Sequence, residues 1–212
     1  MLPTRHARIG ILASGNGSNF EALAAAAARG SLGGSVVALL SDNPGAFALD
    51  RARRLGIEAL SLPTGRYRTR LGDEGPWLAA LQERQVDLVL LAGFMRRLHA
   101  PMLTAFAGRM LNIHPSLLPG FPGLDAIGQA WRAGVRVTGC TVHLVEDALD
   151  AGPIVGQSAI EVHDDDTVAT LEARIHAAEY ALYPEAVHRF LTTPWSVDGR
   201  RLVFASKESA RG

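Results

Sequence analysis

Apolar runs rich in β-branched residues alternate along the chain with stretches in which apolar residues recur every three or four positions. The apolar runs predict strands over residues 8–13, 35–41, 58–62 and 86–92. The intervening stretches predict helices over 19–29, 46–55 and part of 67–85, the last delayed by Gly72 and the Gly75-Pro76 pair. Strands joined by helical crossovers pair in parallel, so this half predicts a parallel sheet buried on both faces.

The second half begins with a short segment at 101–106 and a strand, Met110–His114, which is followed by a proline-rich run over 115–122. Further strands are predicted over 135–145 and 154–162, and Asp166 with Thr167 offers an N-cap to a helix that ends near Phe190. Asp198-Gly199, between apolar residues, predicts a terminal hairpin, and residues 207–212 look loose. We therefore predict one α/β domain over 1–212, Rossmann-like and mostly parallel, with helices on both faces and an antiparallel element toward the C-terminus.

Charge and cysteine content narrow the classes of protein to consider. Lys plus Arg and Asp plus Glu both number 21, so no overall field favours nucleic acid or an anionic membrane as a partner. The single cysteine, Cys140, cannot form an internal disulfide, and Cys and His residues do not cluster at metal-ligand spacing. We expect a cytoplasmic protein without a metal, since no apolar stretch reaches membrane-spanning length and no export signal is present.

The turn after the first strand reads Ser-Gly-Asn-Gly-Ser-Asn over residues 14–19 and leads directly into a helix. Backbone N–H groups at such a turn, together with the positive end of the helix dipole, can bind an anion. The turn matches neither the dinucleotide pattern nor a Walker loop, which favours a monophosphate over a nucleoside triphosphate. The alternative is a tight turn in which Ser18 or Asn19 merely caps the helix.

Asn112 and His114 lie two residues apart on a predicted strand, so both side chains point to the same side. A carboxamide can stabilise an oxyanion and an imidazole can transfer a proton, a pair suited to acyl transfer. Asp150, in a turn before Gly152-Pro153, could orient His114 and raise its pKa. A capping asparagine, a buried histidine with satisfied hydrogen bonds and an ordinary turn aspartate are the alternatives, and spacing does not decide between them.

Four other groups have simpler interpretations. Arg96 and Arg97 could be a solvated pair after a buried strand, and Phe94 with Met95 could be core or pocket wall. His143, within an apolar strand, is predicted to be a satisfied core or supporting histidine rather than a base. The consecutive carboxylates of 164–166 are predicted to cap a helix rather than bind a metal.

Five segments of the chain resemble the glycinamide ribonucleotide transformylases that depend on 10-formyltetrahydrofolate. They are Ala13–Asn19, Leu91–Arg96, Leu111–Pro119, Phe121–Leu124, and Gly139–His143 continuing to Leu149–Pro153. The resemblance extends from Ile9 to about Pro184. Asn-x-His-Pro-Ser with a downstream Leu-Asp-x-Gly-Pro is typical of folate formyltransferases and hydrolases, and the 14–19 turn narrows the resemblance to the glycinamide ribonucleotide enzymes.

The resemblance implies transfer of a formyl group from 10-formyltetrahydrofolate, as co-substrate, to the amine of 5-phosphoribosylglycinamide in purine synthesis, by a monomer or homodimer without a metal. It implies a nucleotide-phosphate half at about 1–107, a folate and catalytic half at about 108–190, and a tail at 191–212. The implied catalytic residues are Asn112, His114 and Asp150. The implied substrate-binding residues are Gly17, Ser18, Asn19 and Glu179. The implied folate-binding residues are Arg70, Met95, Arg96, Leu98, Asn112, Val145 and Asp150, with Arg66 and Arg68 as alternatives to Arg70.

The chain departs from the family pattern in the loop 120–128, where Gly120, Asp125 and Ile127 replace a lysine and histidines that relatives often carry. Because the three catalytic positions are intact, we expect altered binding or loop order rather than loss of reaction. A formyltetrahydrofolate hydrolase remains an alternative, although such enzymes carry an added N-terminal region that we do not expect here. The remaining alternatives are a methionyl-tRNA formyltransferase, disfavoured by the neutral charge, and a catalytically silent phosphate-binding module.

Overall fold

The computed structural model describes residues 6–65 and 69–205, and within them one continuous sheet is flanked by helices. Its strands are β1 (Ala7–Leu12), β2 (Gly34–Ser41), β3 (Glu58–Ser61), β4 (Leu88–Leu91), β5 (Met110–His114), β6 (Val137–Leu144), β7 (Ile154–Glu161), β8 (Trp195–Asp198) and β9 (Arg201–Phe204). Its helices are α1 (Ser18–Ala28), α2 (Phe47–Arg54), α3 (Gly75–Glu83), α4 (Ala100–Ala105), α5 (Ala126–Arg132) and α6 (Val168–Thr192).

The strand order is β3-β2-β1-β4-β5-β6-β7-β9-β8. The first five strands pair in parallel, whereas β6 pairs antiparallel with both β5 and β7. The terminal β8–β9 hairpin extends the sheet through a single pairing of Ile154 with Arg201. The predicted α/β fold, with its antiparallel element toward the C-terminus, is confirmed.

Alternate residues of the central strands pack into two separate cores. Leu88 and Leu90 of β4 face the core formed with α1, α2, α5 and α6, and Val89 and Leu91 face the core formed with α3 and α4. All four side chains are buried. This explains why β4 is apolar at every position, as the sequence analysis predicted for a strand covered on both faces.

Two helices differ from the sequence-based prediction. The helix α5 was missed because it is short, contains Gly128, and begins after Asp125, whose backbone is left-handed (φ 54°) and whose side chain makes no capping hydrogen bond. The segment 101–106 was predicted only as a short connection, and it is helical as α4. The helix predicted within 67–85 forms as α3, with a proline in its first turn, while residues 67 and 68 lie outside the described part of the chain.

The long helix α6 begins where the sequence predicted. The Thr167 hydroxyl accepts a hydrogen bond from the Thr170 backbone N–H, and the Thr170 hydroxyl accepts one from the Thr167 N–H. This reciprocal pair is a capping box. Within residues 6–65 and 69–205, no helix is long and apolar enough to cross a membrane. The tail predicted to be loose, 207–212, lies outside the described residues.

Gly17 offers a test of how closely the first turn packs against α2. Its φ is 77°, and an added Cβ would lie 2.6 Å from the Ala48 Cβ, whereas Gly30 has a similar φ of 72° and open space around it. Gly30→Ala should therefore cost about 1 kcal/mol through backbone strain alone, and Gly17→Ala about 2–4 kcal/mol because steric overlap is added. Free energies of unfolding from urea titrations would check this. Equal losses in the two variants would contradict the close packing.

Candidate active site

A cavity of about 560 Å³ lies at the carboxyl ends of β1, β4 and β5, the position at which α/β sheets of this kind usually bind ligands. Its wall combines strand ends with the loops 93–98, 123–127 and 145–150 and one side of α6. Side chains predicted to act in catalysis or binding line it at nine positions: Asn19, Met95, Arg96, Leu98, Asn112, His114, Val145, Asp150 and Glu179. The fold therefore brings together residues that are far apart in the sequence.

The three predicted catalytic residues meet at one end of this cavity. Asn112 and His114 project from the same side of β5, and Asp150 reaches them from the loop after β6. Asp150 Oδ2 lies 3.6 Å from His114 Nδ1 and accepts a 2.8 Å hydrogen bond from the Gly123 backbone N–H. Asp150 also has a left-handed backbone (φ 51°), which the loop must impose on a non-glycine residue.

The hydrogen bonds of His114 define the state of its ring. Its Nε2 lies 2.9 Å from the carbonyl oxygen of Phe121, which can only accept, so Nε2 carries a hydrogen and donates. The Nδ1 atom faces Asp150. When Nδ1 is also protonated, both N–H groups of the imidazolium face an acceptor, and the buried ring can carry a positive charge beside a carboxylate.

Asp150 is suited to that partnership because it is ionised. Burial by itself would raise its pKa, but contact with His143, the Gly123 N–H and the charges of His114 and His143 outweigh burial and hold the pKa of Asp150 below its ordinary value. Its side chain is only 8% exposed. At neutral pH the site therefore contains a desolvated carboxylate in contact with the Gly123 N–H and two imidazole rings.

His143 is the residue of this centre that the sequence analysis did not assign to the site. Its Nδ1 donates to the carbonyl oxygen of Leu144 at 2.8 Å, so in the neutral ring Nε2 is an acceptor, and Asn112 Nδ2 donates to it at 3.2 Å. The same Nε2 lies 3.6 Å from Asp150 Oδ1. The predicted satisfied histidine is thus observed, in contact with two predicted catalytic side chains. The sequence signals were that His143 is a polar residue within an apolar strand and that it belongs to the segment Gly139–His143, which resembles the family.

At the first turn, the predicted capping role of Ser18 or Asn19 is wrong. Gly17, not Ser18 or Asn19, is the N-cap of α1, and its left-handed backbone replaces a side-chain cap, which is not present. Ser18 and Asn19 are the first two residues of the helix. The turn thus leaves the Ser18 and Asn19 side chains available for other contacts.

Asn19 uses its side chain to contact Glu179, so two predicted substrate-binding residues are joined. Glu179 Oε2 accepts hydrogen bonds of 2.9 Å from Asn19 Nδ2 and from His176 Nδ1. Glu179 is 3% exposed, and Asn19 Oδ1 is buried without a partner in the described structure. One turn along α6, the Tyr183 hydroxyl lies within hydrogen-bond distance of the carbonyl oxygens of Leu91 and Leu111, which fixes the helix over the end of β4 and the start of β5.

The predicted folate-binding residues fall into two groups. Met95 (59% exposed), buried Leu98 and Val145 give the cavity an apolar wall. Arg96 is not a solvated residue, because its Nε donates to Asp42 at 2.7 Å and its side chain is mostly buried. Arg70 is not among the lining residues of the cavity, although its neighbour Thr69 is, and its backbone pairs with Arg97. Its role stays a prediction, and Arg66 and Arg68 lie outside the described residues.

The three residues of the loop 120–128 that depart from the family pattern occupy distinct positions in the structure. Ile127 is buried and lines the cavity, while Asp125 starts α5 and forms an exposed ion pair with Arg132. The Gly120 carbonyl accepts a hydrogen bond from the Ser116 hydroxyl at 2.6 Å. Ile127 thus gives this part of the cavity an apolar contact surface.

Other candidate groups have structural partners. Burial raises the pKa of the Cys140 thiol to about 12, which makes it a poor nucleophile. Among the consecutive carboxylates, Asp164 pairs with Arg136, and Asp166 pairs with Arg174 and accepts the Thr170 hydroxyl beside the capping box.

Comparison with known proteins agrees with this geometry. Residues 7–187 match a family model described as formyl transferase. The chain belongs to the formyl transferase family.

Individual members of the family are similar to this chain over most of its length. Phosphoribosylglycinamide formyltransferase of Bacillus subtilis is 41% identical over 184 residues, which cover 87% of this chain and 94% of that protein. The crystal structure of glycinamide ribonucleotide transformylase 1 from Symbiobacterium toebii superposes with a TM-score of 0.91 at 45% identity, covering 96% of both chains. A formyltetrahydrofolate deformylase from Pseudomonas syringae, 23% identical with a TM-score of 0.85, shares the fold.

The contact of His176 with Glu179 predicts how that histidine titrates. The hydrogen bond to Glu179 is the main cause of the raised pKa of His176, which lies above its ordinary value of 6.5. Partial burial acts in the opposite direction and is weaker. Glu179→Gln should bring this pKa back toward 6.5, whereas Glu172→Gln should lower it less, since the Glu172 contact is longer at 3.5 Å. Titration of the histidine ring by NMR would measure both. An unchanged His176 titration in Glu179→Gln would contradict the pairing.

The same pair predicts a pH dependence of stability. Because the folded-state pKa of His176 is raised, the pair contributes its full stabilisation below pH 6.5 and loses it as pH rises through the folded pKa. The difference in unfolding free energy between wild type and His176→Gln should therefore shrink with rising pH. A difference that grows with pH would contradict the assignment.

Proposed function

We propose that this chain is a phosphoribosylglycinamide formyltransferase, which transfers the formyl group of 10-formyltetrahydrofolate to the primary amine of 5-phosphoribosylglycinamide. The observation that carries the proposal is the meeting of Asn112, His114 and Asp150 in one cavity that also contains Glu179 and Asn19. The names of the full-length relatives support the same acceptor.

Asn112 and His114 provide the electrostatic part of the reaction. The neutral amine attacks the formyl carbon, and negative charge develops on the formyl oxygen. One N–H of the Asn112 carboxamide is used by His143, so its second N–H can donate to that oxygen. When its ring is protonated, His114 beside ionised Asp150 stabilises the same charge.

Proton transfer completes the exchange of bonds. The new carbon–nitrogen bond forms, the bond from the formyl carbon to N10 breaks, and N10 takes up a proton while the former amine loses one. The Nδ1 side of His114, facing Asp150, is where this centre can exchange a proton, directly or through water. Cys140 is buried with a raised pKa, so covalent catalysis through a thiolate is not part of the proposal.

The remaining contacts orient the two substrates. Gly17, Ser18 and Asn19 would hold the phosphate at the N-terminus of α1, and Glu179 would face the glycinamide amine. The apolar wall of Met95, Leu98 and Val145 would contact the flat ring of the folate. The loop after β6 and Arg96 would complete the folate subsite, with Arg70 as a further candidate for its acidic tail.

Truncation of the catalytic side chains tests the mechanism. Asn112→Ala and His114→Ala should each lower kcat by about 10²–10³-fold, with KM for both substrates changed only a few-fold, because the Asn112 hydrogen bond and the protonated His114 ring stabilise the formyl oxygen mainly as negative charge develops on it. Asp164→Asn, on the exposed surface, is the control and should retain wild-type kcat. Near-normal turnover in both alanine variants, with folding verified by circular dichroism, would refute the assignment.

The acceptor is tested by an absorbance assay of formyl-folate consumption, run with and without 5-phosphoribosylglycinamide. Consumption that requires the amine and is lost in His114→Ala is the expected result. Consumption without the amine would instead identify a hydrolase, and binding of the ribonucleotide without any consumption would identify a silent phosphate-binding module.

A further inference from the structure

The turn between β1 and α1 has an asymmetric arrangement of its peptide groups. The carbonyl oxygens of residues 14–17 each accept a hydrogen bond. The donors are Asn43 Nδ2 to Ser14 O at 3.3 Å, Ala48 N to Gly15 O at 3.1 Å, Arg51 Nε to Asn16 O at 2.9 Å and Glu21 N to Gly17 O at 3.0 Å. Three of these donors belong to α2 or the loop before it, so the carbonyls are held on that side.

The backbone N–H groups of the same turn are not used in this way. Those of residues 15–19 donate to no acceptor among residues 6–65 and 69–205. A row of N–H groups with the carbonyls turned aside is the arrangement that favours an anion, since a carbonyl oxygen turned toward a phosphate would repel it. The phosphate affinity of the turn therefore depends on what holds each carbonyl in place.

Asn16 is the residue of the turn that one distant side chain holds at two points. It is exposed and belongs to no helix or strand. Arg51 binds it twice, through Nε to the backbone oxygen and through Nη2 to Asn16 Oδ1 at 3.2 Å. These two hydrogen bonds fix both the peptide and the side chain of Asn16.

Arg51 is itself held rigidly. Its Nη1 pairs with Glu21 of α1, its guanidinium carbon lies 4.9 Å from the centre of the Phe47 ring, and its side chain is only 18% exposed. This set of contacts requires the planar guanidinium group, whose N–H donors point in three directions. The ammonium group of lysine cannot reproduce it. Arg51 thus ties α1, α2 and the turn into one unit.

We infer that Arg51 is a positioning residue for phosphate recognition, which turns the Asn16 carbonyl away from the phosphate and so makes the enzyme selective for a phosphorylated acceptor. Arg51 acts through Asn16 and does not touch the phosphate. The inference rests on the proposed function, because it assumes that the acceptor's phosphate binds at this turn.

Kinetics of Arg51→Lys with two acceptors test the inference. KM for 5-phosphoribosylglycinamide should rise roughly 10-fold to 100-fold, the range expected when a hydrogen bond to a charged group is lost, while kcat and KM for formyl-folate stay within a few-fold. With the acceptor that lacks the phosphate, glycinamide riboside, kcat/KM should be the same in variant and wild type. Arg53→Lys, an exposed neighbour on α2 paired with Asp50, is the matched control and should change neither acceptor.

Glu21→Gln refines the test, because it removes the ion pair of Arg51 but leaves both contacts with Asn16. Its effect on KM for the phosphorylated acceptor should be smaller than that of Arg51→Lys. Equal losses of kcat/KM for the two acceptors in Arg51→Lys would indicate a general structural role and overturn the inference, as would wild-type KM for the phosphorylated acceptor.

A binding measurement separates this inference from the proposed function. Ribose 5-phosphate should raise the melting temperature of wild type and of Arg53→Lys, and this rise should be lost or strongly reduced in Arg51→Lys. A wild-type chain that binds ribose 5-phosphate but forms no formylated product would refute the proposed function and leave the role of Arg51 supported. Equal stabilisation of wild type and Arg51→Lys by ribose 5-phosphate would refute the role of Arg51 alone. If ribose 5-phosphate did not stabilise wild type, the turn would not be a phosphate site, and the role of Arg51 would be refuted with it.

Discussion

The direct cross-strand pairing of Asn112 with His143 is the constraint on which the reactive end of the cavity depends. It exists because β5 is the strand at which the sheet changes from parallel to antiparallel pairing, so that β6 faces β5 in a defined register. The chain after β6 must then fold back as a loop. The hydrogen bond from Leu144 N to Pro153 O closes this loop, and the loop brings Asp150 to both histidines. A shift of one residue in register would turn Asn112 and His143 to opposite faces.

Two buried carboxylates divide the cavity into two electrostatic regions. Asp150 lies between His114 and His143, and Glu179 lies between His176 and Asn19. An unpaired buried carboxylate would be costly, and each acid here is stabilised by histidine and amide donors instead. The arrangement gives one region suited to charge developing on a formyl oxygen and another suited to recognising an amine, with no need for a strongly charged surface.

The fold alone does not choose the acceptor. A deformylase only 23% identical to this chain has the same fold, so selectivity between an amine and water must come from local residues. Under the proposed function, the residues that would select the acceptor lie at the first turn and on α6, where Arg51, Asn19 and Glu179 make their contacts. The loop 120–128, with Ile127 against the cavity, is a further place where relatives can differ without changing the catalytic centre.

The sequence by itself determined the alternation of strands and helices, the burial of the sheet on both faces and the candidate residues Asn112, His114 and Asp150, because periodicity and short motifs are local properties of the chain. Local signals could not reveal α5, which begins at Asp125 without a side-chain cap. Only the tertiary structure decided that His143 contacts Asn112 and that Arg51 holds Asn16, since strand register and the packing of α2 against the first turn join residues 31 and 35 positions apart. Such contacts depend on how the whole sheet assembles, and no single segment encodes them.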